Sequence, residues 1–271
     1  MAPSLPGFFI MMIVAQITDL HVGTEGSLAY GRYDTSASLS RCVAHLMRQL
    51  PPPELVFATG DLVDAGSEEE YRRLQELLAP LRIPLYLIPG NHDDRDVMRK
   101  VFADHAYLGP VGEPARYCIA SHPLRLIALD TSVLGETGGT LDSHQIDWLD
   151  GQLSAAPRQP TVIFMHHPPF RTGIGRMDDI GLRAESAAHL GEVLSGHAHV
   201  RLVTCGHVHR GIQVRWHGTV ASVCPSTAFQ YSLSLDGSAL EPSPHELPAY
   251  QLHCWNGSEL VTHTVAVNHS A

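Results

Sequence analysis

Met12-Ile13-Val14-Ala15-Gln16-Ile17-Thr18-Asp19-Leu20-His21 sets a pattern that the chain repeats: an apolar, β-branched run ending in residues able to hold a metal. Leu55 to Thr59 leads into Gly60-Asp61, and Leu85 to Pro89 leads into Gly90-Asn91-His92-Asp93. Thr161 to Met165 leads into His166-His167, and Leu202 to Cys205 into Gly206-His207-Val208-His209. Each run has the length of a buried strand. Open α/β sheets gather their binding loops at strand ends. Five such tips, all carboxylate, imidazole or amide, point to metal chemistry.

Helices alternate with the early strands. Ser36 to Leu50 places Leu39, Val43, Leu46, Met47 and Leu50 on one face, and Pro51-Pro52-Pro53 stops it. Ser67 to Leu78 is a second helix, with Ser67 and Glu70 forming a capping box. Asp94 to Phe102 is a third. Arg116 to Ala120 and Leu124 to Asp130 read as neighbouring strands joined through Ser121-His122-Pro123. A helix over Asp142 to Leu153 turns Ile146 and Leu149 inward. A Gly-rich loop is expected from Pro168 to Gly181, and a helix from Arg183 to Leu194. The tail alternates in short runs (211–218, 219–224, 250–255 and 260–267), the pattern of antiparallel strands. Ser234 to Pro248 is expected to be an irregular loop. With no linker and no repeat, the expectation is one domain over 1–271, with Met1 to Met11 as a frayed extension.

Composition narrows the class. The chain has 271 residues, 44% hydrophobic and 17% charged, which fits a globular enzyme. A net charge of −10 argues against a nucleic-acid polymer as partner, which needs a basic face. It leaves small anionic substrates open, since bound cations reverse the field inside a pocket. The apolar stretch Gly7 to Ile17 is too short to span a bilayer and lacks the flanks of a leader, so no membrane role is expected. Five cysteines without a CxxC pair fit a reducing, cytoplasmic setting, with a disulfide at Cys224 or Cys254 left open.

The ligands can be treated as an electrostatic problem. Two divalent cations bring four positive charges, and Asp19 and Asp61 remove two of them. His21, Asn91, His166, His207 and His209 add neutral donors. One hydroxide and one phosphodiester anion can balance the rest. Oxygen and imidazole donors without thiolate suit Mn, Fe or Zn. Asp61 is the candidate bridge, because a carboxylate has two oxygens to share. Asp19 and His21, one residue apart, can reach one ion. His166 directly ends its strand and is the candidate ligand there, with His167 supporting it from behind. His92 is the candidate general acid, since histidine titrates in the right range; its alternative is to orient a water. Asp93 and Asp94 read as caps of the following helix. His197 and His199 precede their apolar run and belong to a helix-end loop. Tyr30 and Asp34 lie on a loop able to reach the pocket or simply to pack.

The ordered series DxH, GD, GNHD, HH and GHVH resembles the calcineurin-like metallophosphoesterase superfamily over about Ile13 to His209. AYGRYD, PLYLIPGNHDD and IFMHHPP look like its bacterial branch of class III cyclic-nucleotide phosphodiesterases and glycerophosphodiesterases. The resemblance implies a four-layer αββα sandwich, two mixed sheets flanked by helices. It implies one metal on Asp19, His21, Asp61 and His209, and another on Asp61, Asn91, His166 and His207. His92 then stands near the leaving group. Asp64 replaces the tyrosine ligand of purple acid phosphatases. The tail from 224 to 271 is where relatives build caps and subunit contacts, so a homo-oligomer is expected. The implied activity is hydrolysis of a small phosphodiester, a 3′,5′-cyclic nucleotide or a glycerophosphodiester, by in-line attack of metal-activated hydroxide. A non-catalytic scaffold and a nuclease of the same superfamily are the alternatives.

Overall fold

A computed structural model describes residues 12–237 and 240–268. The expected extension at 1–11 lies outside the described residues. All five runs are strands: β1 (Met12–Ile17), β2 (Leu55–Thr59), β3 (Leu85–Ile88), β6 (Thr161–Phe164) and β7 (Val200–Cys205). The paired strands β4 (Tyr117–Ile119) and β5 (Arg125–Ala128) also form where expected, antiparallel to each other. The tail contributes β8 (Ile212–Trp216), β9 (Thr219–Val223), β10 (Ala249–Trp255) and β11 (Leu260–Ala266).

These strands divide into two mixed sheets, in the orders β11-β10-β1-β2-β3 and β4-β5-β6-β7-β9-β8. β1 and β2 run parallel with Ile17 opposite Ala58, so Asp19 and Asp61 emerge at the same end. β6 and β7 run parallel with Phe164 opposite Thr204, which does the same for His166 and His207. The tail is antiparallel except at one join, where β9 pairs parallel with β7. The hairpin with β8 folds back on the outer side of that pair.

Helices cover both outer faces, giving the four layers. α1 (Thr35–Leu46), α2 (Glu68–Leu78) and α3 (Arg95–Val101) contribute Leu39, Leu74 and Met98 to the core shared with the first sheet. α4 (Ser143–Ala155) and α6 (Ala184–Ser195) bury Ile146, Leu149 and Leu190 against the second. The period-two alternation of β6 sorts its side chains between the layers. Val162 and Phe164 point to the inter-sheet core, and Ile163 and Met165 to the helices. Phe164 stacks on Phe57 across the sandwich with ring centroids 4.0 Å apart.

Three expectations need correction. α1 ends at Leu46, not Leu50, and Leu50 is 91% exposed. The apolar spacing runs on past the C-cap at Met47, so spacing alone overshoots the true end. The Gly-rich loop holds a short helix, α5 (Gly175–Asp179), whose Asp178 accepts from Thr172 N and Oγ1. Asp93 does not cap α3. Asp94 does so alone, accepting from Asp96 N and Val97 N. The capping box of Ser67 and Glu70 forms as expected.

Candidate metal centre

Five loops meet where strands of the two sheets end side by side. Backbone bonds join the loops of the first sheet: Asp19 N donates to Gly60 O and His21 N to Asp61 O. The second sheet is tied in by His207 N, which donates to the Asp19 carboxylate at 2.9 Å. Close approach demands glycine at three positions, Gly60, Gly90 and Gly206. A Cβ on Gly206 would lie 2.0 Å from Thr18 Oγ1, and one on Gly60 would lie 2.4 Å from His166 Nδ1.

Asp19, His21, Asp61, His207 and His209 all have positive φ, between 44° and 74°. Such backbone is unfavourable for residues with a Cβ and costs of order 1–3 kcal/mol each. Strain concentrated on the candidate ligands indicates that their placement is over-determined by the packing around them.

The donors gather in two sets. Asp19, His21 and His209 form one, with His21 Nε2 3.0 Å from His209 Nε2 and His209 Nε2 3.6 Å from Asp19. His166, His207 and Asn91 form the other, with Asn91 Oδ1 3.2 Å from His166 Nε2 and 3.0 Å from His207 Nδ1. Asp61 stands between them: Oδ2 is 3.6 Å from His21 and Oδ1 3.2 Å from His166.

Hydrogen bonds on the far side of each ring assign the protons. His209 Nδ1 donates to Phe229 O at 2.8 Å, and His166 Nδ1 donates to Thr59 O at 2.9 Å. His21 Nδ1 faces Asp64 Oδ1 at 3.4 Å. In the neutral form each of these three rings would turn its Nε2 lone pair inward, toward the other rings and toward carboxylate and amide oxygens. Such a set of acceptors is stable only around protons or cations. Two divalent ions would fit these donors, with Asp61 standing between the two sets.

Charges in the metal-free centre follow the same geometry. Burial holds His207 down to about 3 and His209 well below the usual histidine range. Burial also opposes a charge on His166, but Asp61 outweighs it and raises His166 to about 9. Burial works against the Asp61 anion too, yet His166 and His21 keep its pKa well below the ordinary value. Asp19 is pushed up to about 6 by burial.

His167 stands beside His166 and His207, with a ring nitrogen within 4.8 Å of theirs, but its ring is already engaged. Its Nδ1 meets Thr131 Oγ1 at 2.8 Å and its Nε2 meets Thr137 O at 3.2 Å, so both ring nitrogens are engaged. Its ring lies 4.7 Å from that of His207. His92 is half-exposed, with Nδ1 held by Asp64 O at 2.7 Å. Tyr30 lines a cavity with His21 and His92, whereas Asp34 caps α1 by accepting from Ala37 N. His197 sits at the end of α6 against Asp150, away from the centre.

Sequence reasoning missed several contributors. Asp93 is buried and accepts from Leu62 N, Val63 N, Gly90 N and Tyr71 Oη, so it ties the Asp61 turn to the Asn91 loop. Ser226 Oγ donates to Asp19 O, and the Phe229 ring packs on His209 at 4.7 Å. Nothing in the local pattern near 226–231 marks it as part of the site.

A two-sheet sandwich with paired His/Asp donor sets at its strand ends defines the dinuclear metallohydrolase class. Within that class the chain belongs to the calcineurin-like phosphoesterase family, whose profile matches residues 12–211. It is 34% identical over 254 residues to a probable glycerophosphodiester phosphodiesterase, GpdQ, of Arcobacter nitrofigilis, covering 93% of this chain and 92% of that one. It is 30% identical over 218 residues to the 3′,5′-cyclic adenosine monophosphate phosphodiesterase CpdA of Escherichia coli, covering 80% and 77%. A dimetal phosphatase from Danio rerio shares the fold, with a TM-score of 0.67 at 14% identity over 96% of this chain and all of the other.

Proposed function

We propose that this protein is a dinuclear metal-dependent phosphodiesterase acting on small phosphodiesters, either glycerophosphodiesters or 3′,5′-cyclic nucleotides. The observation carrying this reading is the Asp61 carboxylate, whose two oxygens face two separate histidine sets. Asp19, His21, Asp61 and His209 would hold one ion, and Asp61, Asn91, His166 and His207 the other. Mn, Fe and Zn suit these donors. When bound, a pair of such ions supplies Lewis acidity toward phosphoryl oxygens.

The chain's own residues do the rest. Asn91 donates an oxygen without adding negative charge, which keeps the centre attractive to an anionic ester. Far-side bonds donated to Thr59 O and Phe229 O fix the ring orientations of His166 and His209. Asp64 O holds His92 at Nδ1, leaving Nε2 to deliver a proton to the departing alcohol. His167, engaged at both nitrogens, packs behind His207 and keeps that ring in place.

Five unpaired cysteines accord with a reducing, cytoplasmic compartment. Assembly into a homo-oligomer through the tail is part of the reading and is checked by light scattering. The decisive experiment is a substrate panel on metal-loaded protein: cyclic AMP, its 2′,3′ isomer, glycerophosphoethanolamine and a phosphonate ester. Turnover of one or more small diesters is expected. Inactivity toward all of them with two ions bound would remove the reading.

A further inference from the structure

We infer that β11 is the contact between two copies of this chain, and that the first sheet continues across a two-fold axis at His263 into the same sheet of a second copy. The inference goes beyond the phosphodiesterase reading and gives the proposed homo-oligomer a definite interface.

β11 is the outer strand on one side of its sheet. Outer strands offer unpaired N–H and C=O groups, and proteins blunt them by shortness, charge, proline or a bulge. The other outer strands follow that rule. β3 has four residues, β4 has three, and β8 has five with Arg215 among them. β11 has seven residues, with no aspartate, glutamate, lysine, arginine or proline, and an unbroken register with β10. His263, Thr264 and Ala266 are exposed.

Which backbone groups are free follows from the ladder. Val267 N donates to Pro248 O and Asn256 N to Glu259 O, one bond at each end of the β10–β11 pair. Antiparallel pairs alternate between bonded and non-bonded positions. Val261, His263 and Val265 therefore turn their backbone groups to β10. Leu260, Thr262, Thr264 and Ala266 turn theirs outward, where no strand meets them among the described residues.

The sequence then chooses the partner. Val261-Thr262-His263-Thr264-Val265 reads the same in both directions. Laid antiparallel on itself about His263, it sets Thr262 against Thr264, Val261 against Val265 and Leu260 against Ala266 of the second copy. The outward groups fall on the Thr262–Thr264 and Leu260–Ala266 pairs, so these exchange both hydrogen bonds. His263 meets its own copy in a non-bonded pair, where side chains approach most closely. Threonine pairs and β-branched pairs stabilise neighbouring strands. A slip of two residues, the next register able to bond, would set a valine against His263 and lose this matching. A two-fold axis lets one patch serve both copies.

The second sheet shares this flank. Gln16 of β1 bonds Thr204 and Cys205 of β7, and Phe57 of β2 stacks on Phe164 of β6. In the same order of strands, β11 lies over β8. The axis therefore carries β8 toward its own copy as well, with Val214 and Val220, which are 37% and 38% exposed.

The test is sedimentation velocity on the full metal-loaded chain over a dilution series. The native protein is expected at twice its 29.6 kDa chain mass. Thr264→Pro removes an outward N–H and spares the bonds to β10, since proline is tolerated where the N–H faces out of a sheet. It should raise the dimer Kd by about ten-fold or more. His263→Asp and His263→Lys keep the backbone and set like charges face to face on the axis, so each alone should weaken the dimer similarly. Mixed together, these two variants should pair with each other, because a carboxylate then faces an ammonium. Circular dichroism checks folding, and if Thr264→Pro unfolds the His263 variants decide alone. A native chain that sediments as a monomer would overturn the interface and the homo-oligomer together. An oligomer that survives Thr264→Pro and His263→Asp would overturn the interface alone. So would His263→Asp and His263→Lys variants that stay apart when mixed. None of these outcomes touches the phosphodiesterase reading, which stands or falls on the substrate panel.

Discussion

At the scale of single residues, the centre is defined by where protons are not. His166 and His209 each spend their Nδ1 proton on a backbone carbonyl, so Nε2 is the nitrogen each turns toward the centre. Asn91 adds an amide oxygen to the second set. Asn91→Ala should therefore weaken one ion by about ten-fold or more, about 1.4 kcal/mol, and leave the other nearly untouched. Metal analysis after dialysis reads this directly, and two full equivalents would contradict the assignment. His92 meets the donor sets through its backbone N–H to Asp61 Oδ1, at 3.0 Å, and through its ring, which stands edge-on to His21 with centroids 4.7 Å apart. His92→Ala should keep both ions and slow turnover about a hundred-fold for poor leaving groups, far less for good ones. Equal slowing across a leaving-group series would argue for an orienting role instead. The identities of these residues were legible because each closes an apolar run. Their proton positions were not, since the partners that set them, Thr59 O and Phe229 O, lie 107 and 20 residues away in sequence.

At the scale of elements, strands deliver the donors but loop-to-loop bonds align them. Asp93 does this most, taking three backbone N–H groups and the Tyr71 hydroxyl into one carboxylate. Burial raises its pKa to about 6. Asp93→Ala leaves those donors buried without a partner, which should cost at least about 3 kcal/mol and loosen metal binding at Asp61. Denaturant unfolding with parallel metal titration measures both; a loss of stability with unchanged metal affinity would reduce Asp93 to a purely structural anchor. Sequence reading took Asp93 for a helix cap because Asp before a helix usually is one. Asp94 had already filled that place, and only the approach of the Asp61 turn gave Asp93 other donors. The helix ends show the same limit: Ser67 and Glu70 are local and were readable, whereas apolar spacing carried no mark of the stop of α1 at Leu46.

At the scale of the whole molecule, the two sheets must hold register with each other for the donor sets to meet. A buried polar chain crosses between them beneath the centre. Gln16 Nε2 donates to Thr59 Oγ1 and Cys205 O, while its Oε1 accepts from Thr204 Oγ1 and His253 Nε2. Burial pushes His253 down to about 3, against an ordinary value of 6.5. The folded state therefore disfavours the charged ring. Its contribution to stability is fully present above about pH 6.5 and is lost as pH falls toward about 3. His253→Gln should flatten the fall of stability over that window, measured in chelator-treated protein so that metal release does not intervene. An unchanged pH slope would show that other groups carry the acid sensitivity. Chelation itself should lower Tm by about 5–10 °C per ion, taking ~2.7 kcal/mol at a hundred-fold excess over Kd and ~2–4 °C per kcal/mol. Calorimetry with and without Mn or Zn measures the shift.

The sequence by itself determined the strands, the donors at their ends and their order, because apolar runs and the turn residues after them are local properties. The αββα class came from the family resemblance that this order of motifs carries. Only the tertiary structure decided which donors face which, that Asp61 presents one oxygen to each set, and that Tyr30, Phe229 and Tyr231 wall a cavity beside them. Those facts depend on the packing of one sheet against the other. Distance between side chains in a folded sandwich is set by that packing, and chain spacing carries no record of it.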